Sequence, residues 1–148
     1  MNDDSFRVAE LTLKGYKCSH ILLQIGLDEQ GKDNPDLMRA MSGLASGMGC
    51  GLTCGALTGA CCLIGLYAGK GGDNTEDHPR LQLMLDEFVD WFRDEIGERY
   101  GGTDCGQIVA NNPQLRGERC PALILLIEAR AYLGALIAQA LRDKLVCL

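Results

Sequence analysis

Gly47-Met48-Gly49-Cys50-Gly51-Leu52-Thr53-Cys54-Gly55-Ala56-Leu57-Thr58-Gly59 lies within a run, residues 40–69, that contains no charged side chain. Glycine and cysteine alternate through its middle. Such a stretch belongs inside the protein, and it must pass close to other backbone because glycine adds no bulk. A phosphate-cradling loop is one reading, but Gly69-Lys70 lacks the glycine five positions earlier and is followed by Gly71. The dinucleotide pattern fails as well, since no third glycine follows at the required spacing and no strand pattern precedes it. The uncharged run is long enough to span a bilayer, yet its glycine load and internal helix-stop signals argue against insertion. The remaining reading is a loop, residues 43–55, that feeds a tightly packed helix. Thr53 is the expected N-cap, and Gly55 and Gly59 stand four apart on one helical face beside Ala56 and Ala60. Small residues at that spacing let a second helix approach closely.

The rest of the chain sets bounds on function. Its 148 residues fit one domain, residues 1–148, with a real core. A net charge of −6 disfavours nucleic acid and anionic membrane as partners. Met1-Asn2-Asp3-Asp4 is acidic with no apolar run behind it, and Cys147 is misplaced for prenylation, so the expected location is cytoplasmic. Eight cysteines are many for a reducing compartment, where cysteine groups more often mean metal or redox chemistry than structural disulfides.

Apolar periodicity is helical throughout, and no stretch alternates with period two. A first helix starts at Asp4-Ser5 and carries Phe6, Ala9, Leu13, Tyr16, Ile21 and Ile25, weakened at Gly15 and ended by Gly26 and Gly31. Asn34-Pro35 opens a second with Leu37, Met38, Met41 and Leu44. The third, from Thr53 to Tyr67, is apolar nearly all round and should be central. His78-Pro79, read as a surface helix start, opens a fourth with Leu81, Leu85, Phe88, Phe92 and Ile96 on one stripe. Asp86, Glu87, Asp90, Arg93, Asp94 and Glu95 form its wet side. Asp104 caps a short turn carrying Cys105. Cys120-Pro121 opens a last helix with Leu123, Leu126, Ile127, Leu133, Ile137, Leu141 and Leu145, and Glu128 with Arg130 reads as a solvated interruption. The expected fold is all-α, a compact single-domain bundle of about five helices with a Gly-rich loop before a central helix.

Gly15-Tyr16-Lys17-Cys18-Ser19, then Thr53-Cys54-Gly55-Ala56-Leu57-Thr58-Gly59, then Cys105 and Cys120, resemble the redox-active family named for its cysteine pattern, C_GCAxxG_C_C. The resemblance runs roughly from residue 10 to 120, and the CGAxxG element is its most specific part. It implies a small helical protein with four hallmark cysteines, Cys18, Cys54, Cys105 and Cys120, often encoded near transporter genes and without an established reaction. His20 and the additional Cys50, Cys61, Cys62 and Cys147 depart from that pattern.

Residue chemistry bears on the same cysteines. A helix N-terminus offers N–H groups and a positive dipole end, which favour the reactive thiolate. Cys54 follows the expected cap Thr53, Cys105 follows Asp104, and Cys120 itself sits at the expected cap. Cys54, after flexible glycines, should therefore have a depressed pKa and be the most reactive hallmark thiol. Against this, free cysteine is most often a small buried hydrophobe, the better account of Cys61, Cys62 and Cys147. Cys54 and Cys61 share a helical face, but a rise of about 10.5 Å separates them, too far for a disulfide. C-x-x-C and ferredoxin spacings are absent. A site made of the four hallmark cysteines must be assembled by folding. It would serve as dithiol/disulfide pairs or as ligands of an iron–sulfur cluster or zinc. His20 and His78 are not expected to join it.

The function expected from the sequence is thus cysteine-based redox activity, with a homodimer, a membrane transporter or a redox protein as expected partners. The alternative is a non-catalytic helical interaction module whose cysteines are merely packed.

Overall fold

The structure is a computed structural model that describes residues 3–130. It is all-helical, with seven helices before residue 116, a further helical stretch over 116–130, and no strand among the described residues. The expected Leu133, Ile137, Leu141 and Leu145 stripe and Cys147 lie outside the described residues. No helix among the described residues is long and apolar enough to cross a membrane.

The helix count exceeds the expected five or so, chiefly because what reads as one helix at the start is two. Helix α1 spans Asp3–Leu13 and α2 spans Cys18–Glu29. Between them Gly15 adopts φ +88°, with its N–H on the Thr12 carbonyl and the Tyr16 N–H on the Leu11 carbonyl. This is the paired hydrogen-bond pattern of a helix ending on a left-handed glycine. The break turns α2 back along α1, where Arg7 bridges to Asp28 at 2.7 Å. It also makes Cys18 the first residue of a helix.

Helix α3, Pro35–Met41, starts as expected: the Asn34 side chain accepts from the Leu37 N–H at 3.1 Å, with proline in the first turn. Helix α4, Gly55–Ala68, has no exposed residue and is the centre of the protein. Its N-cap is Cys54, one residue later than expected. Thr53 is drawn off into an antiparallel bridge with Asp104. Glycine makes the α2–α4 contact close. A Cβ on Gly59 would lie 2.8 Å from the Ser19 carbonyl oxygen, and one on Gly26 would overlap Leu63. Ser19 donates to the Met41 carbonyl at 2.7 Å, tying α2 to α3 as well.

Helix α5, Leu81–Phe92, runs through one wide turn at Arg93–Gly97 into α6, Glu98–Tyr100. Phe88, Phe92 and Ile96 are buried against α4, and the acidic face is exposed as its sequence requires. His78 corrects the surface reading. It is buried, its N–H donates to the Ala68 carbonyl, and its Nδ1 accepts from the Arg80 N–H. It thereby fastens the 69–80 loop to the end of α4. Asp104 caps α7, Cys105–Ile108, with Gln107 accepting back from the Asp104 N–H at 3.1 Å.

A 3₁₀ turn, Pro113–Leu115, leads into α8, residues 116–130. Cys120 is therefore inside a helix and not at its cap, because the helix already starts at the Asn112-Pro113 signal, where the Asn112 side chain accepts from the Gln114 N–H. Glu128 is buried, not solvated, and the Arg130 guanidinium lies over the Trp91 ring at 5.8 Å.

Candidate redox site

The loop that precedes α4 places the first cysteines. Ser46, Gly47, Met48, Gly49 and Gly51 all have positive φ, so the chain coils left-handed through the stretch where glycine is densest. Gly47 is the tightest point: a Cβ there would overlap the Leu52 backbone, whose N–H donates to the Gly47 carbonyl. The coil delivers Leu52–Cys54 alongside residues 103–105. The Cys54 N–H donates to the Thr103 carbonyl at 3.1 Å and the Cys105 N–H to the Leu52 carbonyl at 2.6 Å. This short pairing ties the start of α4, at Cys54, to the start of α7, at Cys105.

Cys18 arrives from the other side. A Cβ on Gly55 would lie 2.6 Å from the Cys18 sulfur, so Gly55 is where the Cys18 thiol rests on the start of α4. Cys120, on the second turn of α8, faces the same region. Its thiol feels both Cys18 and Cys105, and Cys54 feels both Cys18 and Cys120. Cys120 is thus the thiol in electrostatic reach of the other three.

Cys18, Cys105 and Cys120 line one cavity of about 290 Å³, with Lys17 and Arg116 at its wall. Cys54 lies behind it, 7% exposed. All four thiols are free. Among the described residues no group of three or more His, Cys, Asp or Glu side chains is arranged to hold a metal ion.

Electrostatics reverse the expectation for Cys54. Burial pushes its thiol up to about 12. The Leu57 and Ala56 amides at the helix start pull it down without a formed hydrogen bond, and the Cys18 and Cys120 thiols push it up again. The dipole end is present as expected, but loss of water outweighs it. Burial likewise raises the Cys120 thiol to about 11, helped by Cys18 and Cys105 and opposed by Arg116.

The other cysteines stand apart. Cys61 lines a separate cavity with Thr53, Arg93 and Thr103, and burial with Cys62 nearby raises its thiol to about 11. Cys62 packs against the small cluster of Leu23, Leu27, Met38 and Met41. Cys50 is exposed on the coil, its thiol 3.4 Å from the Gly47 carbonyl. His20 is not part of the cavity. Its Nδ1 accepts from the Lys17 N–H and its Nε2 meets Ser42 Oγ at 3.0 Å, while burial lowers its pKa.

Sequence reading missed Lys17 and Arg116. Their signals were positional: Lys17 precedes Cys18, and Arg116 stands four residues before Cys120, on the same helical face.

The profile of the family described as "Putative redox-active protein (C_GCAxxG_C_C)" matches residues 16–130, which takes in all four hallmark cysteines. No curated protein and no solved structure matches the chain. By the extent of that match, the chain belongs to the C_GCAxxG_C_C family.

Proposed function

We propose that this protein is a thiol–disulfide redox protein of a reducing, cytoplasmic compartment, with Cys18, Cys54, Cys105 and Cys120 as its site. The observation that carries the reading is the single cavity walled by Cys18, Cys105 and Cys120 with two cations beside them. Cys18 is the attacking group. It is half-exposed on the cavity wall and is the first residue of a helix, so a small oxidant can reach it. Cys120 is the resolving group, because it neighbours Cys18 and lines the same cavity, where Arg116 offsets part of the burial that raises its thiol.

The reaction balances as an exchange. The Cys18 thiolate attacks one sulfur of a substrate disulfide, whose S–S bond breaks, and the departing thiolate takes up a proton. Cys120, having given up its proton, attacks the Cys18 sulfur of the mixed disulfide and expels the second substrate thiol. Two protein thiols become one disulfide while one substrate disulfide becomes two thiols. Cys54 and Cys105, on the two segments that the 52–54/103–105 hydrogen bonds join, are the remaining thiols of the site and take over the oxidation by the same exchange. Use of the four as ligands of a zinc ion or iron–sulfur cluster is the second reading, which lacks a group of three or more ligating side chains gathered among the described residues.

The test is oxidation of the reduced protein by a small disulfide, followed by mass-spectrometric mapping. A Cys18–Cys120 crosslink is expected, with Cys18→Ser unable to form the initial mixed disulfide. If all four thiols stay free while the exposed Cys50 alone is modified, the cysteines are packing residues and the protein is better described as an interaction module.

A further inference from the structure

The cavity wall says which disulfides belong there. Lys17 and Arg116 both line it, and neither forms an ion pair among the described residues. Arg7, Lys14, Arg39 and Arg93 do form ion pairs, while Lys32, Lys70, Arg80, Arg99, Arg119 and Arg130 form none among the described residues, so Lys17 and Arg116 are set apart by their place on the cavity wall. The described lining contains no carboxylate. In a chain of net charge −6, two cations on the wall of one concavity, with no carboxylate in its described lining, favour an anion there. The remaining wall offers Thr12, Tyr16 and Ser46 hydroxyls and an apolar floor of Ile21 and Ile124. At about 290 Å³ the space suits a small molecule.

We infer that the substrate of this site is a low-molecular-weight disulfide carrying carboxylates, held by Lys17 and Arg116 with its sulfurs over Cys18 and Cys120. The inference rests on the thiol–disulfide reading above and adds the substrate's class to it. Lys17 and Arg116 are specificity-determining residues. They hold the anion while Cys18 attacks, and the substrate leaves as two carboxylate-bearing thiols after the exchange already described. The whole-chain charge repels anions at long range, so an anion preference must come from the cavity itself.

The experiment measures reduction of three small disulfides by the reduced protein: dianionic dithiodiglycolate, neutral bis(2-hydroxyethyl) disulfide and dicationic cystamine. Each rate is divided by that with dithiothreitol, which removes the intrinsic reactivity of the disulfide. The expected result is a normalised preference of about tenfold or more for the dianion over the dication at low salt, shrinking as salt rises. Lys17→Gln with Arg116→Gln should abolish the preference, whereas Arg116→Lys keeps most of it. Lys70→Gln, which removes the same charge from an exposed loop, should leave it intact. Circular dichroism identifies a variant that lost its fold, and the Arg116→Lys and Lys70→Gln pair then still decides the matter. Normalised rates that are equal for all three disulfides overturn the substrate assignment while leaving the redox reading standing. Failure to reduce any of them overturns the redox reading, and this inference with it.

Discussion

Two alanine substitutions in the same helix should move stability in opposite directions. Gly59 and Gly65 both lie within α4. In either place alanine restores helix propensity worth about 1 kcal/mol. At Gly65 the new Cβ meets nothing within 4 Å, so the variant should be more stable by about 0.5–1 kcal/mol. At Gly59 the Cβ would stand 2.8 Å from the Ser19 carbonyl oxygen, 3.2 Å from its Cα and 3.3 Å from its carbonyl carbon. All three are backbone atoms, so no side chain can swing aside. Nor can α2 retreat freely, because Ser19 is hydrogen-bonded to Met41 and the Leu22 and Leu23 side chains are fully buried. Overpacking of this kind costs about 1–3 kcal/mol, and a rigid backbone neighbour places it near the upper end. Net destabilisation of about 1–2 kcal/mol follows for Gly59→Ala, a gap of about 1.5–3 kcal/mol between the two variants. Urea unfolding followed by circular dichroism measures it, with an unchanged m-value as the check that only stability moved. Equal stabilisation by both substitutions would refute the close α2–α4 contact, and with it the account of how Cys18 is held.

Alkylation of the reduced, chelator-treated protein near neutral pH should label Cys54 last among the hallmark cysteines, because burial holds its thiol at about 12, and Cys18 before it; early labelling of Cys54 would contradict its burial. Stability should also fall on the alkaline side. Cys54, Cys61 and Cys120 have folded pKa values of about 12, 11 and 11 against 9.0 for an ordinary thiol. Their contribution is complete below pH 9.0 and is lost as pH rises through the folded values, where the unfolded chain has released protons the folded one retains. A urea midpoint that stays flat from pH 8 to about 11 would count against the raised thiols. On the acid side His20, with a pKa lowered from 6.5, contributes stability that is present above 6.5 and lost as pH falls below it. His20→Gln should flatten that acid slope, and an unchanged slope would show that His20 does not carry it.

Much of the fold was legible because its signals are local. Asn34-Pro35 and Asp104 mark helix starts by their own hydrogen-bonding chemistry, and the structure uses both as written. The uncharged run gave the buried central helix, since α4 exposes no residue. The errors share a cause, which is that burial is not local. His78 looks like a surface residue beside its proline, yet the return of the 69–80 loop covers it. Glu128 interrupts an apolar face in sequence but is buried in the fold. Cys120-Pro121 resembles a helix start, but the stronger cap at Asn112 begins the helix earlier. Lys17 and Arg116 were invisible as a pair because most of the chain lies between them before the fold brings them to one wall.

Cys54 shows how the motif and the chemistry divide their roles. A cysteine at a helix N-terminus invites a single reading, that of an activated nucleophile. Here the spacing Cys54-x-x-x-x-Gly59 does something else. Gly55 gives the Cys18 sulfur its seat, and Gly59, one turn on, lets the Ser19 backbone follow, so the two glycines together lay the start of α2 on the start of α4. The Cys54 N–H and the Leu52 carbonyl then hold residues 103–105 in place. The same closeness that gathers the thiols also strips water from the innermost one, and desolvation raises its pKa more than two amides can lower it. A site assembled this way cannot have its most buried cysteine as its most reactive one. In the exchange proposed above, the attacking role therefore falls to Cys18, which lines the cavity, while the motif cysteine and its glycines fix where Cys18 can be.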